Sequence, residues 1–477
     1  MLNFLNDLLW GKILIVALIA IGLLFTIRSR FVQFRYFFHM FGMLGSSFET
    51  EEGQVSSFQA LALSVAGRVG AGNIAGVALA ISIGGPGAIF WMWLIALIGM
   101  ATSFFECSIA QVFKQTQPDG TYRGGPAYYM EKALGQRWMG SIFSFLLLVT
   151  FGFGFNAVQS YTVATSVNDT FGIPTNITGL VLMIVLGLVI FGGVKRIAQL
   201  AEFIVPAMAG GYFLMSLYVL ITNITELPRI ISLIISSAFG LNQAIAGGIG
   251  AALIFGVKRG LFSNEAGLGS APNVAAVAYV KHPANQGIIQ SFSVFIDTII
   301  LCTCTASVIL LSNVYQPGSE EQGGILLTQS AMAEHLGGWG RAFISIALVL
   351  FAFTSIIYNY YLGENSLNFF TEGNKLVFNI FRVLTLALII WGALQDLGTV
   401  FGFADLTMGL LAIVNIVSLF KLANLGLKVM KDFDEQIKNG IKEPIFDARK
   451  FADVNLDTNS WSIPEVPVES DLYIDRV

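Results

Sequence analysis

The sequence predicts an all-α polytopic membrane protein of about eleven transmembrane helices. Composition predicts it first: of 477 residues 55% are hydrophobic and only 12% charged, against about 25% charged in soluble domains. The mean hydropathy of +0.72 agrees. The 26 basic and 30 acidic residues are too few to cover a water-soluble chain of this length, which excludes a soluble enzyme and a disordered chain. The third observation is the recurrence of apolar runs near the 20 or so residues that cross a bilayer.

The runs lie near 10–27, 57–84, 87–113, 139–165, 178–194, 198–222, 241–282, 285–313, 341–362, 376–394 and 399–420. The first resembles a signal peptide, but Arg28 and Arg30 follow it without a small-residue cleavage site, so it is expected to stay. Fifty glycines with 12 prolines and no G-X-Y period read as close helix packing in lipid. A net charge of −4 gives no reason to expect nucleic acid.

Lysine and arginine orient the chain. With the C-terminus in the cytoplasm, 20 of the 26 basic residues fall inside, three outside and three within spans. The expected topology therefore has the N-terminus outside. Beyond about Gly426 the chain turns charged and reads as a cytoplasmic tail.

Catalytic and metal chemistry is thin. Cys302-x-Cys304 has no second pair, the three histidines stand apart, and no H-E-x-x-H, Walker or G-x-S-x-G motif is present. No enzyme activity and no cofactor are expected.

The second and seventh runs differ from the rest. In the second, Ala66-Gly-Arg-Val-Gly-Ala-Gly-Asn-Ile-Ala-Gly76 separates two apolar halves. Glycine in a helix interior costs about 1 kcal/mol. Three glycines beside Asn73 favour unwinding, which is tolerated at this depth only where backbone lines a cavity. Freed N–H groups at Gly70, Ala71 and Gly72 suit a carboxylate, with the Asn73 amide adding a donor, and carbonyls suit sodium. The bland reading is a packing face built on Gly72-x-x-x-Gly76.

The seventh run, near 241–282, is too long for one straight crossing. Its break falls at Gly247–Gly250 or, preferably, around Gly260–Gly269. Lys258, Arg259 and Glu265 lie within it and Arg68 within the second run. Charges in a span suggest function, here a gate in which Glu265 pairs with a basic residue near the cytoplasmic side. The bland alternative leaves Lys258 and Arg259 marking a cytoplasmic helix end. Runs two and seven are five spans apart, so spans 2–6 and 7–11 form candidate inverted repeats, as in many secondary transporters. The expected divisions are 1–56, 57–222, 223–425 and 426–477.

The motifs resemble those of the sodium:alanine (alanine/glycine:cation) symporter family. Gly84-Gly-Pro-Gly-Ala-Ile-Phe-Trp-Met-Trp-Leu-Ile-Ala-Leu-Ile-Gly99 fits its signature without a mismatch. Val69–Gly76, Arg259–Gly267 and Phe351–Ser355 resemble its other hallmark segments, and the likeness spans about residues 40–425. The resemblance implies a leucine-transporter-like 5+5 inverted repeat with two discontinuous helices and one added N-terminal helix. It also implies sodium-coupled uptake of a small neutral amino acid, alanine or glycine, by a multi-pass protein of a bacterial or archaeal cell membrane. Serine, glutamine or proton coupling are the variants; a channel or a membrane enzyme are the alternatives from other classes. Asn73 with its glycines, Phe262, Gln159, Ser355 and Asn359 fall at substrate positions, and Thr354 and Ser355 at sodium positions. Two departures stand out. Ala71 occupies a position where members often have Thr, and Ile357-Tyr358-Asn359 replaces the common Leu-Gly-Trp. Asn359 enlarges or polarises one pocket wall.

Overall fold

The computed structural model describes residues 2–47, 54–118, 120–191, 193–240, 248–316, 324–371, 373–452, 454–457 and 459–461. Among them, eight helices are long and apolar enough to cross a membrane, and a bent pair makes a ninth crossing. Thr175–Ile190 is a shorter apolar helix, and Gly248–Asn264 begins a second interrupted one. With these two the crossing units number eleven and match the runs read from sequence.

The first broken helix starts on a reciprocal cap. Gln59 N–H donates to Ser56 Oγ and Ser56 N–H to Gln59 Oε1, each at 3.1 Å. The helix runs Ser57–Arg68 and stops at Val69, whose φ −80° and ψ 94° are extended. It resumes across Gly72–Gly84 at 47° to its first half, opening with a π-helical stretch over Gly72–Gly76. The second broken helix runs unbroken through Gly248–Asn264. Of the alternative break at Gly247–Gly250, Gly247 lies outside the described residues. The break is at Glu265–Ser270, where Glu265, Gly267 and Gly269 take φ values of 57°, 89° and 81°, before Ala271–Ala275 resumes the helix. Left-handed backbone costs a non-glycine residue about 1–2 kcal/mol, so Glu265 must be held from outside its own segment.

Several helices lie outside the predicted runs, the longest being Leu227–Ala238 and Ile325–Leu336. Twelve residues span about 18 Å, below the length used to find crossings. The last helix, Leu397–Lys438, continues well past Gly426, because lysine and glutamate are good helix formers and do not stop a helix that has left the bilayer. Beyond it the chain crosses one face of the bundle. Phe446 N–H donates to Lys281 O at 2.9 Å, Thr116 N–H to Asp457 Oδ2 at 2.8 Å, and the Trp461 indole to Val112 O at 3.2 Å. This is the tail face. A cavity of about 510 Å³ on this face is lined by His39, Ser57, Lys281, Asn285, Phe433 and Glu443 among others. None of its lining residues belongs to either break.

The added first helix lies parallel to the last. Asn6 Nδ2 donates to Gly402 O at 3.0 Å and the Trp10 indole to Asp405 O at 3.2 Å.

Candidate functional site

The two breaks meet at the centre of the bundle. A Cβ at Gly72 would stand 3.2 Å from both Phe262 Cδ1 and Ser263 Cα of the second broken helix. Tyr358 joins them from Gly338–Thr371. Its ring lies against Gly67, and its hydroxyl donates to Glu265 Oε2 at 3.0 Å.

At the first break the backbone donors are capped by side-chain amides. Gly70 N–H donates to Asn73 Oδ1 at 2.9 Å, and Ala71 N–H to Gln159 Oε1 at 3.0 Å. This corrects two expectations: the Gly70 and Ala71 N–H groups are not free, and Asn73 offers Gly70 an acceptor rather than adding a donor. Its Nδ2 turns away to Asp297, at 2.6 Å from Oδ1. The physical reason is that a buried N–H without a partner costs about 1–3 kcal/mol, and the nearest amides supply the acceptor.

Ser355 completes this side. Its Oγ lies 2.9 Å from Ala66 O, 3.3 Å from Gly67 O, 3.3 Å from Val69 O and 3.0 Å from Phe351 O. A hydroxyl has one proton to donate, so most of these oxygens face it without a shared hydrogen. Thr354, predicted beside it, is not brought to the break. Its hydroxyl bonds Leu350 O and Phe351 O of its own helix and faces Met208 Sδ at 3.7 Å. Adjacent helix positions diverge by about 100°, and here Ser355 takes the side toward the break while Thr354 takes the side toward Met208.

Phe262 packs on Phe155, centroids 4.5 Å apart, and on Phe401 at 5.5 Å. One turn from Gln159 and Ser355, Asn359 Nδ2 donates to Asn156 Oδ1 at 3.1 Å.

The charged residues pair differently from the expectation. Glu265 makes no ion pair among the described residues. It accepts from Ser270 Oγ at 2.5 Å as well as from Tyr358. Lys258 Nζ lies 2.8 Å from Asp405 Oδ2, and Arg259 pairs with Asp405 Oδ1. Six residues precede the break after Lys258, on the half-helix away from the tail face, so neither basic residue ends a helix on that face. Arg68 donates to Gln290 O at 3.0 Å, to Ser103 Oγ at 3.2 Å and to Ser293 Oγ. Arg259 also stacks over Phe262 and Phe401, at 5.3 and 5.2 Å.

Sequence reading missed three acids in spans. Asp405 is the partner of Lys258 and Arg259. Glu106 holds the second break: Gly267 N–H donates to its Oε1 at 3.2 Å and Asn415 Nδ2 to its Oε2 at 3.1 Å. Asp297, fully buried, accepts from Asn73, from Ser263 Oγ at 2.9 Å and from Thr298 Oγ1 at 2.7 Å. It makes no ion pair among the described residues. The signal was there: each is a lone carboxylate in an apolar run, costly in lipid and so a functional flag.

No group of three or more His, Cys, Asp or Glu fit for a metal occurs among the described residues, and Cys107, Cys302 and Cys304 are free and buried.

The family model described as the sodium:alanine symporter family matches residues 1–448. The chain is 47% identical to the amino-acid carrier protein AlsT of Bacillus subtilis over 449 residues, 94% of this chain and 95% of that one. It is also 47% identical to the probable sodium/glutamine symporter GlnT of the same organism, over 92% and 91% of the two chains. Among solved structures, the Eremococcus coleocola manganese transporter aligns with a TM-score of 0.52 at 14% identity, covering 78% of each chain. That likeness concerns the fold, which is of the leucine-transporter type. A multi-pass membrane transporter rather than an enzyme, this chain belongs to the sodium:alanine symporter family.

Proposed function

We propose that the protein carries a small neutral amino acid into the cell together with sodium, by alternating access around the two breaks. The observation that carries this is the nest of carbonyls around Ser355 Oγ, 2.9–3.3 Å away. Hard oxygen donors around a compact space suit a small cation, which must exchange its water for fixed dipoles. Beside it, the Gly70 and Ala71 N–H groups are closed only by neutral amides of Asn73 and Gln159. A substrate carboxylate, carrying full charge, replaces such neutral acceptors with gain, since bonds to charged groups contribute about 1.5–3 kcal/mol against about 1 for neutral ones. Asp297 adds a buried carboxyl group that suits sodium or the ammonium group of the substrate.

Phe155, Phe262 and Phe401 limit the space for a side chain. The Lys258–Arg259–Asp405 cluster stands between the aromatic layer and the face opposite the tail, the place for an outer gate. The basic-residue count supports a cytoplasmic tail face and an N-terminus outside. The divisions 57–222 and 223–425 serve as the two repeats, with 1–56 and 426–477 added at either end. The family description and the name of the GlnT relative support sodium coupling, with alanine or glutamine as cargo.

The test is uptake of radiolabelled alanine, glycine, serine and glutamine into proteoliposomes. Uptake driven by an inward sodium gradient, and absent when potassium replaces sodium, is expected. Uptake indifferent to sodium would sink the coupling, and uptake driven by a proton gradient alone would transfer it to protons.

A further inference from the structure

Asn359 is held in a single orientation by a chain of hydrogen bonds that ends on an acceptor. Asn156 Nδ2 donates to Gly152 O at 3.2 Å. A carbonyl can only accept, so Asn156 must present its amide nitrogen there and its Oδ1 to Asn359. Asn359 must then present Nδ2 to Asn156, at 3.1 Å. What remains is Asn359 Oδ1, buried and without a hydrogen-bond partner among the described residues. The residue is 1% exposed. The amide cannot rotate to relieve this, because two carbonyl oxygens would then face each other.

The position of this oxygen gives it meaning. Gly70 is sandwiched between Ser355 and Gln159: a Cβ there would stand 2.5 Å from Ser355 Oγ and 2.7 Å from Gln159 Nε2. Asn359 follows Ser355 by four residues and Asn156 precedes Gln159 by three. Both asparagines therefore lie about one turn, 5.4 Å, along their helices from the layer that closes on Gly70. Phe155 and Tyr358, their chain neighbours, border the same space through Phe262 and Gly67. An amino acid whose carboxylate takes the Gly70 and Ala71 donors has its side chain within reach of this layer.

We infer that Asn359 is a specificity-determining residue, and that the preferred substrate carries a hydrogen-bond donor on its side chain. The inference rests on the transport reading above and deepens it. A hydroxyl or a carboxamide satisfies Asn359 Oδ1; a methyl or a hydrogen leaves it orphaned. The effect is a difference between close analogues, because a site built to accept a hydrogen bond rejects the isostere that lacks one. Serine and glutamine share this chemistry, and their sizes separate them.

The experiment measures binding to the full-length purified protein in saturating sodium, in isosteric pairs: serine against 2-aminobutyrate, threonine against valine, glutamine against methionine. At least one donor-bearing member is expected to bind about tenfold tighter than its partner, equivalent to about 1.4 kcal/mol. The pair showing the gap identifies hydroxyl or carboxamide. In Asn359→Leu the same ratio is expected to fall to within about twofold of one. Ratios near one for every pair in the parent overturn the inference, as does a gap that persists unchanged in Asn359→Leu. If that variant does not insert, the parent ratios decide. Sodium-dependent alanine binding with flat ratios removes the donor preference alone. Loss of all sodium-dependent binding in the parent removes the transport reading as well.

Discussion

The two helix breaks meet in one place and are closed by opposite chemistry. The first, at Val69–Ala71, has its N–H groups capped by the neutral amides of Asn73 and Gln159. The second, at Glu265–Ser270, is held by two carboxylates, Glu106 and Glu265, through Gly267, Asn415, Ser270 and Tyr358. Neutral caps are exchangeable, since a charged ligand outcompetes them. Carboxylate anchors are not, since removing one orphans several buried donors. On the proposed function, the first break is the face offered to cargo. The second is scaffold, and its stiffness keeps a left-handed Glu265 in place at the cost such backbone carries.

The largest expected effect attacks the first break sterically. Gly70→Val places methyls where Ser355 Oγ and Gln159 Nε2 stand. Uptake should fall by at least about a hundredfold, the loss expected when more than about 2.7 kcal/mol of binding goes, while the protein still inserts. Substantial uptake by this variant would mean that cargo is held elsewhere.

The scaffold side predicts a different phenotype. Glu106→Ala should lower stability, since Gly267 N–H and Asn415 Nδ2 each lose an acceptor worth about 1–3 kcal/mol. Thermal unfolding of the detergent-solubilised protein should shift down clearly, with the sodium dependence of the surviving fraction intact. A variant with unchanged unfolding but altered sodium affinity would make the second break part of the ion site.

Ser355 and Thr354 sharpen the contrast on one helix. Ser355→Ala should raise half-saturating sodium about tenfold, the loss of one ligand bond to a charge. Thr354→Ala, whose hydroxyl is satisfied by its own helix, should change it less than about twofold. Equal shifts would break the assignment.

The smallest effect lies at the tail face, away from both breaks. His282 is buried; its Nδ1 accepts from Ala284 N–H at 3.1 Å, and its Nε2 faces Asp432 Oδ2 at 3.2 Å. Lys450 also reaches Asp432, at 2.8 Å. Burial, opposed by Asp432 and helped by Lys450, holds the imidazole below its usual pKa. The unfolded chain therefore takes up this proton first as pH falls. The stability tied to neutral His282 is complete above about pH 6.5 and is lost as pH drops beneath it. Unfolding temperatures measured from pH 7.5 to 5.5 should decline less in His282→Gln than in the parent.

Much of this was legible in the chain. Apolar runs of bilayer length, the asymmetry of lysine and arginine, and glycines clustered at Ala66–Gly76 and Gly260–Gly269 determined eleven crossings and two breaks, because these signals are local. Burial in lipid forces every backbone group to find a partner nearby, so a run that cannot do so announces itself. What the tertiary structure alone decided were the pairings: Asp405 rather than Glu265 for Lys258 and Arg259, Asn73 turned toward Asp297, Ser355 facing the break while Thr354 faces Met208. Each depends on which groups from residues a hundred or more positions away arrive within 4 Å. A one-residue step around a helix, about 100°, reverses the answer. Spacing along the chain limits that arrival, and only the packing of all eleven crossings fixes it.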